Sequence, residues 1–186
     1  MTSIFDGFPT DKGGRDGSHS YEPTYRGLFE NSVTQLRRIG RFDVKAVLEL
    51  GIYLGGSLRA WKKYFPRAEI VGLDNDNGTM IHGEERITTF LGDVRSEEAL
   101  RTVARLHDYN LIVDDASHRP IDQFHALKHL WGSVVPGGFY VIEDLDMNRN
   151  GSEILTTCTL IVRGEAEISL HLGDKRADDL LILEKT

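Results

Sequence analysis

Three acidic residues and one histidine of this 186-residue chain fall where chemistry is expected. Asp115 follows the apolar run Leu111-Ile112-Val113-Asp114, and Glu143 and Asp144 follow the run Phe139-Tyr140-Val141-Ile142. If the two runs are adjacent strands, their ends lie about 5 Å apart and the three carboxylates converge. Unpaired, they would repel and raise one another's pKa values, whereas a hard divalent cation bound through oxygen would hold them ionised. Magnesium is the expected occupant. The alternative makes Glu143 and Asp144 a helix cap and its neighbour, with Asp115 in a salt bridge. His118 lies three residues past Asp115, and an imidazole titrating near neutrality can take a hydroxyl proton, so it is the candidate general base. His82, His107, His125, His129 and His171 have no such company and read as ordinary histidines.

A second group of polar residues closes three earlier apolar runs. Glu49 sits in Val47-Leu48-Glu49-Leu50-Gly51, Asp74 ends Ile70-Val71-Gly72-Leu73-Asp74, and Asp93 follows Gly92 after Ile87 to Leu91. An acid at Glu49 suits a ligand with a nearby positive charge, Asp74 can accept two ribose hydroxyls, and Asp93 can accept from an adenine amino group. Gly51 is followed at four and five residues by Gly55 and Gly56, which is not the G-x-G-x-x-G spacing of a pyrophosphate cradle. These glycines either let backbone approach a ligand or permit close helix–strand packing.

The elements that would position these residues are legible in the hydrophobic pattern. Short, nearly continuous apolar runs at 46–50, 69–74, 87–91, 111–115 and 138–144 alternate with helical spacing at 54–65, 97–106 and 121–131. That alternation predicts an α/β fold, a Rossmann-like doubly wound sheet that is mostly parallel and covered on both faces. Ala166 to Leu172 and Leu180 to Lys185, separated by a polar turn, predict a terminal antiparallel hairpin. The spacing predicts a helix from Tyr21 to Arg38. Residues 1–20, rich in Gly, Asp and Ser without an apolar period, read as a loop or arm, and 21–186 as one domain.

At this point Val47-Leu48-Glu49-Leu50-Gly51 with Gly55-Gly56-Ser57 and Val71-Gly72-Leu73-Asp74 resembles a class I S-adenosylmethionine-dependent methyltransferase, and the terminal hairpin agrees. Thr10-Asp11-Lys12-Gly13, His19, Tyr21 and Tyr25, with Asp114-Asp115-Ala116-Ser117-His118, Pro136-Gly137-Gly138 and Ile142-Glu143-Asp144-Leu145, resemble more narrowly the bacterial macrolide sugar O-methyltransferases and the related cephalosporin-hydroxylase-like family. The resemblance implies that Glu49, Gly51, Ser57, Asp74 and Asp93 line an S-adenosylmethionine site, with Tyr25 and the Asp11 segment closing over it. It also implies Mg2+ on Asp115, Glu143 and Asp144, with His118 as base toward a hydroxyl of a sugar or glycosylated metabolite. Ala116 stands where the family has glycine.

Composition bounds the partners. With 22 Lys and Arg against 29 Asp and Glu, the formal charge is −7, the wrong sign for a broad phosphate-gripping face, so nucleic acid is not expected. No long apolar run predicts a membrane span, and the N-terminus lacks the pattern of a signal peptide, so a cytoplasmic location is expected. The one cysteine, Cys158, reads as a small buried hydrophobe. The short segment from Met147 to Glu165 offers little lid, which suggests completion by another subunit in a homo-oligomer. Other readings remain open: a catechol or phenol methyltransferase, a cofactor-binding protein without transferase activity, and an NAD-dependent oxidoreductase, the last in conflict with the glycine spacing.

Overall fold

The strand β1 (Ala46–Leu50) is buried at every residue, which requires cover on both faces of its sheet. In the computed structural model, which describes residues 3–13, 19, 21–30, 40–145, 147–172 and 179–186 (backbone alone over 147–150), that cover is present. Four further strands, β2 (Glu69–Asp74), β3 (Ile87–Leu91), β4 (Tyr109–Asp114) and β5 (Val134–Leu145), join β1 in parallel. The last two, β6 (Ala166–His171) and β7 (Asp179–Lys185), pair antiparallel as expected, with β7 seated between β5 and β6. The resulting seven-stranded order is β3-β2-β1-β4-β5-β7-β6. The chain winds outward from β1 to β3 and then returns to β4, so the strand order reverses between β1 and β4. A crevice is expected beyond their carboxyl ends.

Period-two alternation decides which side chain meets which layer. Leu48, Leu50, Val71, Leu73 and Ile112 face α3 (Glu97–Ala104), α4 (Pro120–Leu130) and α5 (Met147–Val162). Val47, Ile70, Leu111, Val113 and Val141 face α1 (Glu22–Glu30) and α2 (Gly56–Tyr64). The same parity sends Glu49 and Glu143 toward α1 and α2, and Asp114 toward α4 and α5. Asp115, one residue beyond β4, returns to the α1 and α2 side.

Two segments add to the sequence expectation. The N-terminal stretch has no apolar period, yet Ile4 and Phe5 are buried in the α1–α2 core, Phe5 edge-on to Trp61 and Tyr25. A few large side chains suffice there because they insert into a core built by other elements. Residues 147–162 form α5, where the expectation was a short segment without an assigned element. Ile154, Cys158 and Val162 are buried at four-residue spacing, and the Thr156 and Thr159 hydroxyls donate to the carbonyls of Ser152 and Leu155. Burial deep in the core pushes the Cys158 thiol up to about 12. Helix α1 ends at Glu30 within the described residues; the part of the expected helix from 31 to 38, and the hairpin turn at 173–178, lie outside them. Among the described residues no helix is long and apolar enough to cross a membrane.

Gly56 opens α2 against the N-terminal segment, and a methyl group there would overlap the carbonyl of Pro9. Gly56→Ala is therefore expected to cost about 1–3 kcal/mol in urea unfolding, as overpacking does. Gly132→Ala, with open space around its added carbon, should stay within about 0.5 kcal/mol. Asp114 supplies a second test. Burial raises its carboxyl to about 7, against the opposing hydrogen bond from the Tyr140 hydroxyl at 3.3 Å. Because the folded pKa exceeds the unfolded one, its stabilising protonated form is fully present below about pH 4 and is lost as pH rises through 7. Denaturation of Asp114→Asn alongside the parent chain should show the variant gaining relative stability over that window.

Candidate active site

At the carboxyl end of the sheet, parity brings the acids Glu49, Asp115 and Glu143 to one side, and one lysine meets all three. Lys12, 1% exposed, donates to Asp115 Oδ2 and Glu143 Oε2, and its Nζ lies 3.5 Å from Glu49 Oε1. Burial opposes its charge, but the carboxylates of Asp115, Glu143 and Glu49 outweigh that penalty and raise its pKa well above the usual lysine range. The acids are further held by neutral donors. Trp61 Nε1 donates to Glu49 Oε2 at 2.8 Å, and the Tyr25 hydroxyl donates to Glu143 Oε1. Burial raises Glu49 to about 6 against the opposing field of Lys12, and raises Glu143 for the same reason.

Asp144 is placed differently from its neighbour. β5 is irregular in its pairing with β7 between Ile142 and Leu145, and Asp144 adopts a left-handed φ of 58°. Its carboxylate accepts from the Tyr21 hydroxyl at 2.5 Å through Oδ1 and lies 3.4 Å from His118 Nδ1 through Oδ2. His118 Nδ1 is also 3.9 Å from Asp115 Oδ1. Asp115, His118 and Asp144 thus offer ligand atoms all within 4.8 Å of one another. Burial raises the Asp144 carboxyl, an effect that the Tyr21 hydrogen bond opposes.

This trio opens into a cavity of about 420 Å³ whose other walls are Gly51 to Tyr53, Ser57, Asp74 and the segment Pro9 to Asp11. A second cavity, about 210 Å³, lies beyond β2 and β3 between Asp74, Asp93, Arg95 and Arg119. Gly51, Asp74 and Ala116 line both, so the two adjoin along the strand ends. Asp74 Oδ2 accepts from the Ile52 and Tyr53 amides at 2.7 and 3.3 Å, and Oδ1 from the Asp76 amide at 2.9 Å. Oδ2 is thereby filled, while Oδ1 keeps a lone pair for one ligand hydroxyl. The Arg95 guanidinium grips Asp93 at both oxygens and holds its carboxyl down near 2.

Of the residues singled out from sequence, Gly51, Ser57, Asp74, Asp115, His118 and Asp144 share the larger cavity, and Asp93 joins Gly51 and Asp74 in the smaller. Glu49, Tyr25 and Glu143 line neither. They stand behind the wall, because their faces of β1, β5 and α1 turn inward to Lys12, Trp61 and one another. The glycines are also explained by the chain itself: at Gly51 an added carbon would overlap the Asp115 carbonyl, and at Gly56 that of Pro9. Lys12, Tyr21 and Trp61 were not singled out as site residues. Alternation along β1 and β5 was the available clue, since it turns two acids into a core that must supply them with donors. Backbone strain gathers here too: Tyr53, His118 and Asp144 are left-handed non-glycine residues on the same cavity.

No protein-family model matches the chain. Among curated proteins, it is 39% identical over 107 residues to mycinamicin VI 2''-O-methyltransferase of Micromonospora griseorubida, covering 53% of this chain and 27% of the relative. It is 40% identical over 128 residues to a tetracenomycin rhamnosyl 3'-O-methyltransferase of Streptomyces olivaceus, covering 63% and 31%. With demethylmacrocin O-methyltransferase of Streptomyces fradiae it shares 43% over 111 residues, covering 53% and 27%. The chain therefore spans about a third or less of the length of these relatives. Among solved structures, the MycE methyltransferase of the mycinamycin pathway, in complex with Mg and SAH, superposes with a TM-score of 0.63 at 28% identity, over 89% of this chain and 49% of that one. A caffeoyl-CoA O-methyltransferase-like structure from Staphylococcus aureus, 14% identical with a TM-score of 0.57 over 77% of both chains, shares the fold alone. The chain carries the class I S-adenosylmethionine-dependent methyltransferase fold and is a homologue of the sugar O-methyltransferases of macrolide and tetracenomycin biosynthesis.

Proposed function

We propose that this chain is an S-adenosylmethionine-dependent O-methyltransferase of a sugar hydroxyl on a glycosylated small metabolite, assisted by magnesium and working in the cytoplasm. The observation that carries the reading is the junction of two cavities at Asp74, with Asp115, His118 and Asp144 opening into the larger. Among the homologues named above, the tetracenomycin relative is by name a methyltransferase of a rhamnosyl compound, which supports the substrate class.

The cavities fit a nucleoside sulfonium by position and by Asp74, whose Oδ1 keeps a lone pair for one ribose hydroxyl, the second being reached if the Tyr53 amide contact at 3.3 Å yields. Asp93 serves the base end only while it shares its oxygens with Arg95. When bound, S-adenosylmethionine supplies an electrophilic methyl group, whose carbon–sulfur bond breaks as the carbon–oxygen bond forms. The donor set fits a hard cation as well: Asp115 Oδ1 and Asp144 Oδ2 face the same cavity, with room left for substrate oxygens. Glu143, assigned to the same ion by resemblance, has both oxygens engaged, so its participation requires Lys12 or Tyr25 to yield. When bound, magnesium supplies a Lewis acid that makes a coordinated hydroxyl more acidic.

His118 is half exposed on the cavity, and its Nδ1 faces the carboxylates of Asp144 and Asp115. That contact orients the ring with Nδ1 toward the carboxylates, leaving Nε2 to receive the hydroxyl proton as the oxygen attacks. Tyr53 and the segment Pro9 to Asp11 border the cavity, with Tyr53, Pro9 and Asp11 themselves exposed to solvent. A homo-oligomer would close the side that these walls leave open.

Calorimetric titration with S-adenosylhomocysteine is expected to show micromolar binding that Asp74→Ala abolishes; absence of binding to the parent chain would remove the cofactor assignment. His118→Ala should lower the turnover of a glycosylated acceptor by about 10²- to 10⁴-fold while leaving S-adenosylhomocysteine affinity within a few-fold. Full turnover in that variant would exclude His118 as the base.

A further inference from the structure

We infer that Lys12 is the resident cation of the carboxylate centre, which a divalent metal ion must displace from Asp115 and Glu143 to recruit both acids. The inference rests on the metal reading above and adds to it the residue that sets how tightly the ion is held.

Three observations meet at this residue. The ammonium is in direct contact with one oxygen each of Asp115 and Glu143, the two acids that end β4 and β5. Glu49 Oε1 is buried with no hydrogen-bond partner among the described residues, so its compensation is the charge of Lys12 at 3.5 Å. Asp115 is shared, with Oδ2 turned inward to Lys12 and Oδ1 turned outward to His118 and the cavity.

A cation seated between Asp115 and Asp144 therefore has the ammonium as its neighbour across a single carboxylate group. Like charges at that separation repel, all the more because the ammonium itself is closed to water. The lysine thus keeps the acids together when no ion is bound and opposes the ion when one arrives. Lys12 is carried by the same segment whose Thr10 and Asp11 line the larger cavity, so its withdrawal alters that wall as well. Ion binding and the placement of the N-terminal segment become one equilibrium.

The test is a calorimetric titration of the metal-stripped chain with Mn2+ and with Mg2+, comparing the parent, Lys12→Met, and the charge-balanced Lys12→Met/Glu49→Gln. Both variants are expected to bind the ions at least tenfold more tightly than the parent, with a larger ion-induced rise in melting temperature. If Lys12→Met does not fold without metal, the double variant decides, since it removes one charge of each sign. Tighter binding by a variant when the parent binds nothing also supports the exchange. Parent binding with equal or weaker binding in the variants overturns the role of Lys12 and leaves the metal reading intact. Failure of all three proteins to bind either ion overturns both.

Discussion

Several carboxylates buried at one end of a sheet constrain almost everything around them. Each needs a donor or a counter-charge, because an ionised group without either is too costly inside a protein. Here Glu49, Asp115 and Glu143 converge on Lys12, while Trp61 donates to Glu49 and Tyr25 to Glu143. This explains why a polar N-terminal segment is packed against the fold. Its Ile4 and Phe5 fill the core near Trp61, and its lysine neutralises the acids that the parallel strands deliver. Apolar packing and ion pairing fix the same segment from its two ends.

The division of labour among the acids follows from backbone geometry. Strand alternation turns Glu49 and Glu143 inward, while the left-handed turn at Asp144 carries that carboxylate out to the cavity. Adjacent residues of one strand thus do different work: Glu143 holds the N-terminal segment and Asp144 faces His118. The interior set gives the centre its rigidity, and the exterior set meets the solvent and any ligand.

Much of this was legible in the residues, for reasons that can be stated. Fully buried parallel strands such as Leu111–Val113 read as unbroken apolar runs, and their acidic ends marked the crevice. The N-terminal contribution was not legible, because Ile4, Phe5 and Lys12 form no periodic pattern and their partners lie far along the chain. Helix α5 was obscured by Thr156, Thr157 and Thr159, β-branched residues that weaken helix propensity; packing of Ile154, Cys158 and Val162 overrides them. At Asp93, the competing partner was only two residues away at Arg95 but became visible only as a side-chain contact. Parity along β1 and β5 could have separated Glu49 and Glu143 from the residues on the cavity before any coordinates were known.

The insertion of β7 between β5 and β6 has a consequence for synthesis. As the chain emerges in order, β5 is made before residues 179–185 and must wait with one edge unpaired until β7 arrives to take its place. An unpaired apolar edge is a template for association with other chains. Because that strand also carries Glu143 and Asp144, their end of the sheet is completed only when β7 has paired with β5.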